Sequence, residues 1–198
     1  MNIKFLIFAL FFINGCMYKK NIFIEELEKN NQSYLNLKQT YSSCSGQGEI
    51  QIEGLSPWKF NFRYISQRDS SFIQFIDILG RKTMLMWLTA DSLLAWNVLE
   101  NKKYNHYQVI QAFPYFNNFS PNDITKILWG IKPDTPNDLI NTISYSFNSK
   151  SLNGNNSFVT SAILNNGEYD QYLIINIHNR EHNSRLVDLD THWRLIQS

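Results

Sequence analysis

His178-Asn179-Arg180-Glu181-His182 is the run in this 198-residue chain whose residue types and spacing best fit a metal centre. It follows the H-x-x-E-H pattern of inverted zincins, in which two histidines hold zinc and the glutamate serves as general base. That chemistry needs a helix, where side chains four residues apart project together toward one ion. Here Tyr172-Leu173-Ile174-Ile175-Asn176-Ile177 leads into the motif with the residue types of a strand. On a strand the two histidines stand roughly 13 Å apart, at about 3.3 Å per residue. No metal is expected, and the motif reads as the polar end of a hairpin closed by Asn183-Ser184. His106 and His192 have no obvious ligand partners nearby in sequence. The chain has no G-x-S-x-G, no phosphate-cradling glycine loop and no C-x-x-C. No catalytic residue is assigned, and a hydrolase built from dispersed Ser, His and Asp has no support.

The other reactive candidate is Cys16. Nine apolar residues, Phe5 to Ile13, follow Lys4 and run into Asn14-Gly15-Cys16. About 10 apolar residues fall well short of the roughly 20 that a membrane-crossing helix needs, so the layout points to a targeting signal. Ile13-Asn14-Gly15-Cys16 resembles a bacterial lipobox, departing from it at Asn14, where a smaller residue is usual. The expectation is a lipoprotein signal peptide over residues 1–15. Cys16 would carry a covalent diacylglycerol on sulfur and an acyl group on its amine, and no other cofactor is expected. An ordinary secretory signal and an uncleaved anchor are the alternatives. Met17 stands where an Asp would favour inner-membrane retention, which directs the expectation to the outer membrane. With Cys16 acylated, Cys44 has no partner within the chain, so the fold must stand without a disulfide. Cys44 reads as a plain small side chain beside a strand, with an intermolecular bridge as the alternative.

Removing residues 1–15 takes only Lys4 from the 18 basic residues, leaving 17 against 17 acidic ones. That balance gives no electrostatic case for nucleic acid or for binding through anionic headgroups. Residues 16–40 read as the acylated cysteine, a polar tether and a short helix over 23–37. Residues 41–198 read as one domain, expected to act as a monomer. Gly48-Glu49-Ile50-Gln51-Ile52-Glu53 and Trp58-Lys59-Phe60-Asn61-Phe62-Arg63-Tyr64 alternate with the period-two pattern of half-buried strands. Residues 71–79, 83–89 and 92–100 follow as strands that are apolar on both faces. Ser120-Pro121-Asn122-Asp123 starts a helix, Ile124, Ile127, Leu128 and Ile131 give it one apolar face, and Gly130 suits its end. Strands resume at 139–149, 157–165, 170–179 and 185–196, with Asn153-Gly154 and Asn166-Gly167 as turns. The fold class is mainly β, α+β: a strongly curved antiparallel sheet forming an unclosed barrel, covered on its concave side by one or two short helices.

Short helices do not fill a wide curved sheet. The remaining space would be an apolar cavity, the usual form of a lipid or small-ligand site. Phe60, Phe62, Phe75, Met84 and Met86 are the candidate lining, and methionine adapts to irregular, flexible ligands. The plainer alternative is that these side chains pack against the helix as a closed core.

In its order of elements the chain resembles the LolB-like family of outer-membrane lipoprotein receptors, which shares an unclosed β-barrel with the periplasmic carrier LolA. The resemblance is carried by Cys16 and the tether, by Gly48-Glu49-Ile50-Gln51-Ile52, and by the hairpin Asp77-Ile78-Leu79-Gly80-Arg81-Lys82-Thr83. It continues in Ile127-Leu128-Trp129-Gly130-Ile131-Lys132-Pro133 and in Thr191-His192-Trp193-Arg194-Leu195-Ile196, matched to the family's terminal strand. Residues 97–118 depart most, lacking the family's second short helix. The resemblance implies a protein that takes acyl chains of lipoproteins or lipids from a periplasmic LolA-like carrier. It would release them into the outer membrane while tethered to its periplasmic face. Leu79 is the position implied to contact the membrane, with a turn residue folded into the core as the alternative. Arg81 and Lys82 could meet lipid phosphates or be solvated turn charges. A structural or complex-assembly lipoprotein on the same scaffold is the rival reading.

Overall fold

Side-chain alternation becomes a two-sided sheet along the first half of the chain. In β1 (Ser43–Glu53) and β2 (Trp58–Gln67) the even-numbered residues face inward: Ile50, Ile52, Phe62 and Tyr64 are buried while Lys59, Asn61 and Arg63 are exposed. The computed structural model describes residues 28–54, 57–112, 120–133, 143–152, 156–166 and 171–197. The expected signal peptide, Cys16, residues 17–27, Asn153-Gly154 and Gly167 lie outside the described residues.

Seven more strands follow: β3 (Ser70–Ile76), β4 (Lys82–Leu88), β5 (Leu93–Asn97), β6 (Lys102–Tyr104), β7 (Ile143–Leu152), β8 (Asn156–Asn166) and β9 (Gln171–Asn183). They form one antiparallel sheet in the order β6-β5-β4-β3-β2-β1-β9-β8-β7. The meander of β1 to β6 is joined to that of β7 to β9 along the β1–β9 pair, while β6 and β7 are the two edges. The barrel is therefore unclosed.

Among the described residues three helices lie on the concave side: α1 (described over 28–40), α2 (His106–Ala112) and α3 (Pro121–Trp129). They bring Tyr34, Val109 and Ile127 into one core cluster with the inward side chains of the sheet. α3 starts and stops where its sequence says. The Asp123 N–H donates to Ser120 Oγ at 3.1 Å, and the Ser120 N–H donates to Asp123 Oδ2 at 3.0 Å, a reciprocal cap with Pro121 at the first position. Gly130 closes it at φ 90°, a left-handed conformation that glycine takes without steric cost.

Several expectations need correction. The segment 185–196 is not a strand: Asp190–Gln197 forms α4, so the match to a terminal Trp-containing strand does not hold. Asp188 Oδ2 accepts from Thr191 Oγ1 at 2.8 Å and Oδ1 from the Asp190 N–H at 3.0 Å, which starts the helix. α4 then lays Trp193 against Trp87 on the convex face, 4.9 Å between ring centroids, and His192 against Phe72 at 4.7 Å. The two-sided apolar character of β3, β4 and β5 is thus met by cover on both faces. Among the described residues the concave side carries three helices, where one or two were expected. The strand expected over 92–100 stops at Asn97, whose Oδ1 accepts from the N–H groups of Leu99 and Glu100. After that turn come β6 and α2, so residues 97–118 do contain a second short helix. The first helix, described from residue 28, runs on to residue 40, past the expected end at 37.

Candidate functional site

The two ends of the concave face are built from similar apolar residues and finish differently. At one end α3 plugs the sheet. Its last carbonyls lack partners within the helix, and side chains of the sheet supply them. Arg180 donates from Nε to Leu128 O at 2.7 Å and from Nη2 to Ile127 O at 3.0 Å and Val159 O at 2.8 Å. Tyr64 Oη donates to Leu128 O at 2.9 Å, and His182 Nε2 stands 3.1 Å from Trp129 O. The Val159 N–H donates to Gly130 O at 2.7 Å. The guanidinium also opposes the negative end of the helix dipole. Trp129, fully buried, donates from Nε1 to Ser66 Oγ at 2.8 Å, and Ser66, Ser71 and Thr125 continue the chain of hydroxyls.

This plug uses the residues that looked most chemical. A bulge in the β1–β9 pairing sets Asn179 opposite Gln47 and Ile177 opposite Gly48, leaving His178 out of register. The bulge reverses which side each following residue faces. His178 consequently lies outside, 3.8 Å from Glu49 Oε2, while Arg180 and His182 turn inward to α3. The two histidines lie on one strand, as expected, but on opposite faces of it. Burial lowers the His182 pKa from its ordinary value. Cys44, wholly buried in β1, has its thiol pushed up to about 12 by burial and packs near Tyr64 Oη and Leu128 O. A thiol so placed is inert packing, with no route to an intermolecular bridge. No group of three or more metal-ligating side chains occurs among the described residues.

At the other end the sheet borders an open cavity of about 570 Å³. Phe60, Phe75, Met84 and Met86 line it, as do Ile50, Trp58 and Leu173. Phe62 does not. It lies between Phe60 and Tyr64 along β2, buried with its ring 6.1 Å from Phe75 and 6.2 Å from Tyr64. That ring occupies the space left by Gly48, where a Cβ would come within 2.8 Å of Phe62 and 2.1 Å of the Asn176 carbonyl. Phe62 thus belongs to the core beneath the cavity. The volume falls within the roughly 300–1,000 Å³ usual for small-ligand sites. Asp77, Arg81, Thr83 and Asn97 are its polar members.

The hairpin between β3 and β4 stands beside this cavity. Asp77 Oδ1 accepts from the N–H groups of Leu79 and Arg81, both at 2.9 Å, and Asp77 Oδ2 pairs with Arg81 Nε at 2.8 Å and Nη2 at 2.7 Å. Bonds from the Arg81 backbone, its side chain and the Leu79 N–H hold the Asp77 carboxyl below its ordinary pKa. The turn is braced by its polar atoms alone, leaving Ile78 89% and Leu79 71% exposed. Leu79 is therefore not folded into the core. Ile78 is the residue sequence reasoning missed, although it precedes Leu79 as a second apolar residue in the same turn. Arg81 is paired with Asp77, and Lys82 is exposed.

No family model matches the sequence, and no curated protein does. Solved structures do match. A domain described as belonging to an outer membrane lipoprotein-sorting protein from Vibrio parahaemolyticus superposes with a TM-score of 0.58 at 8% identity, covering 88% of this chain and 99% of that one. The chain shares its fold. A DUF1329 family protein from Desulfovibrio piger matches with a TM-score of 0.50 at 10% identity, covering 86% of this chain and 99% of its own. A LolA superfamily protein from Nitrosomonas europaea gives a TM-score of 0.41 at 7% identity over 83% and 94%. Among the described residues no helix of this unclosed barrel is long and apolar enough to cross a membrane.

Proposed function

We propose that this chain is a LolB-like acyl-chain-binding lipoprotein of the outer membrane, acting as a monomer without enzymatic chemistry. It is anchored at the periplasmic face through acylated Cys16. It accepts the acyl chains of lipoproteins or lipids from a LolA-like carrier and releases them into the bilayer. The observation that carries this reading is the apolar cavity beside a braced hairpin that exposes Ile78 and Leu79. The likeness in fold to a domain described by lipoprotein sorting adds support, as do the lipobox-like Ile13-Asn14-Gly15-Cys16 and Met17.

The energetics suit transfer without an external energy source. Burying an acyl chain is worth about 0.8 kcal/mol per CH₂ in bilayer or protein alike, so the two phases nearly cancel and a small preference sets direction. An open cavity favours this reading over complex assembly on the same scaffold. Burial of Leu79 in the membrane contributes about 1.5–3 kcal/mol, enough to orient a tethered protein and too little to anchor it. Leu79→Glu is expected to leave folding and uptake of a fluorescent fatty acid intact while blocking delivery to liposomes. Unchanged delivery would reduce Leu79 to a turn residue, and failure of the unsubstituted protein to take up fatty acid would remove the transfer reading altogether.

A further inference from the structure

The antiparallel order places the β5–β6 turn at the same end of the sheet as the Ile78–Leu79 hairpin. The Val98 N–H donates to Thr83 O at 2.9 Å, tying the turn to the start of β4. Asp77 and Arg81 line the cavity at the β3–β4 turn, and Asn97 and Leu99 line it at the neighbouring β5–β6 turn. The turn keeps its shape through the Asn97 side chain and the positive φ of Asn101, so Leu99 is not needed to hold it. Leu99 is nevertheless 58% exposed.

Charge separates this surface from an ordinary apolar blemish. Lys82, Lys102 and Lys103 are all exposed within or next to the two turns, where Glu100 is the exposed acid among the described residues and Asp77 and Arg81 neutralise each other. Lys102 lies 5.0 Å over the ring of Tyr104 and Lys103 5.9 Å over that of Trp96. The ammonium groups themselves rest against the ring faces while both lysines stay exposed. Apolar tips set among lysines complement the acyl and phosphate layers of an anionic bilayer.

We infer that the Leu99 turn is a second membrane contact, which with Lys82, Lys102 and Lys103 docks the cavity mouth on anionic phospholipid. The inference rests on the proposed function and adds to it. One inserted hairpin leaves the body free to pivot, whereas two neighbouring contacts at the mouth restrict that rotation.

The test uses the full chain reconstituted with vesicles whose acyl chains carry nitroxide, either phosphatidylcholine alone or an equimolar mixture with phosphatidylglycerol. A thiol-reactive fluorophore is placed at Leu79→Cys, Leu99→Cys or, as an exposed site elsewhere, Leu186→Cys. Buried Cys44 does not react, and the unsubstituted chain gives the background. Quenching at positions 79 and 99 but not 186, stronger with phosphatidylglycerol, is expected. Replacing each of the three lysines by Ala lowers the ratio of docked to undocked chain about fivefold. Quenching at 79 without 99 overturns the second contact and leaves the hairpin reading standing. Quenching at neither position overturns both. Quenching at 99 that is indifferent to phosphatidylglycerol and to the lysines overturns the anionic preference, and protection of position 99 only by an added carrier protein assigns the turn to that partner.

Discussion

The plugged end and the open end of the concave face differ in what their inward side chains meet. Along β2, Tyr64 and Ser66 meet the end of α3 and find hydrogen-bond partners there, whereas Phe60 and Trp58 farther along the strand line the cavity. One strand thus supplies both a tightly satisfied core and the wall of a cavity. Rigidity at one end allows the other to stay open. The sheet is held by the α3 plug and by the pairing of β1 with β9, so the cavity walls need no filling to keep their shape.

The largest expected effect breaks the plug. Trp129→Ala removes a wholly buried indole and its bond to Ser66, and should cost about 3–5 kcal/mol in chemical denaturation. A cost below 1 kcal/mol would mean that α3 does not hold the sheet. Gly130→Ala forces a left-handed backbone on a residue with a Cβ and brings that Cβ within 2.7 Å of Arg180. It should cost about 1–2 kcal/mol by thermal or chemical unfolding, with the loss concentrated in the same region. At the open end the expectation reverses. Met86→Trp fills the cavity, so fatty-acid binding should weaken at least tenfold, about 1.4 kcal/mol, while stability changes less than in Trp129→Ala. Equal binding in that variant would move the ligand elsewhere.

The smallest effect is one of pH. Burial holds His182 below its ordinary value of 6.5, so the unfolded chain takes up the proton first. Its contribution is fully present above pH 6.5 and fades as pH falls from there toward the folded-state value. Glu49, Asp77 and Asp188 are also lowered, and theirs is lost only in the more acidic carboxylate range. Thermal melts across pH 6.5 should show a modest drop that shrinks in His182→Gln, which keeps a donor toward Trp129 O. A drop of the same size in both proteins would remove His182 from the plug's pH response.

How much was legible depends on how local the signal is. The strands β1 to β4 and the caps of α3 could be read directly, because alternation at Phe60-Asn61-Phe62 and the pair Ser120 and Asp123 act within a few residues. Four of the five expected wall residues line the cavity, since facing inward is a matter of strand parity. Whether an inward residue meets a void or a helix is not, and that is why Phe62 fell on the other side of the line. The segment 185–196 misled because Trp193 and Ile196 resemble a strand until the convex faces of Phe72 and Trp87 demand cover.

By itself the sequence determined an antiparallel sheet, the cap and stop of its central helix and the unsuitability of H-x-x-E-H for a helical metal centre. Each of these follows from steric and hydrogen-bond preferences among near neighbours. Tertiary structure alone decided which end of the sheet is plugged, that a bulge turns Arg180 inward to cap α3, that α4 covers the convex face, and that two apolar turns share one cavity. Those outcomes depend on contacts between residues such as Arg180 and Leu128, or Trp87 and Trp193, that are far apart in the chain. No local preference encodes such contacts, because they arise only when packing brings the partners within reach.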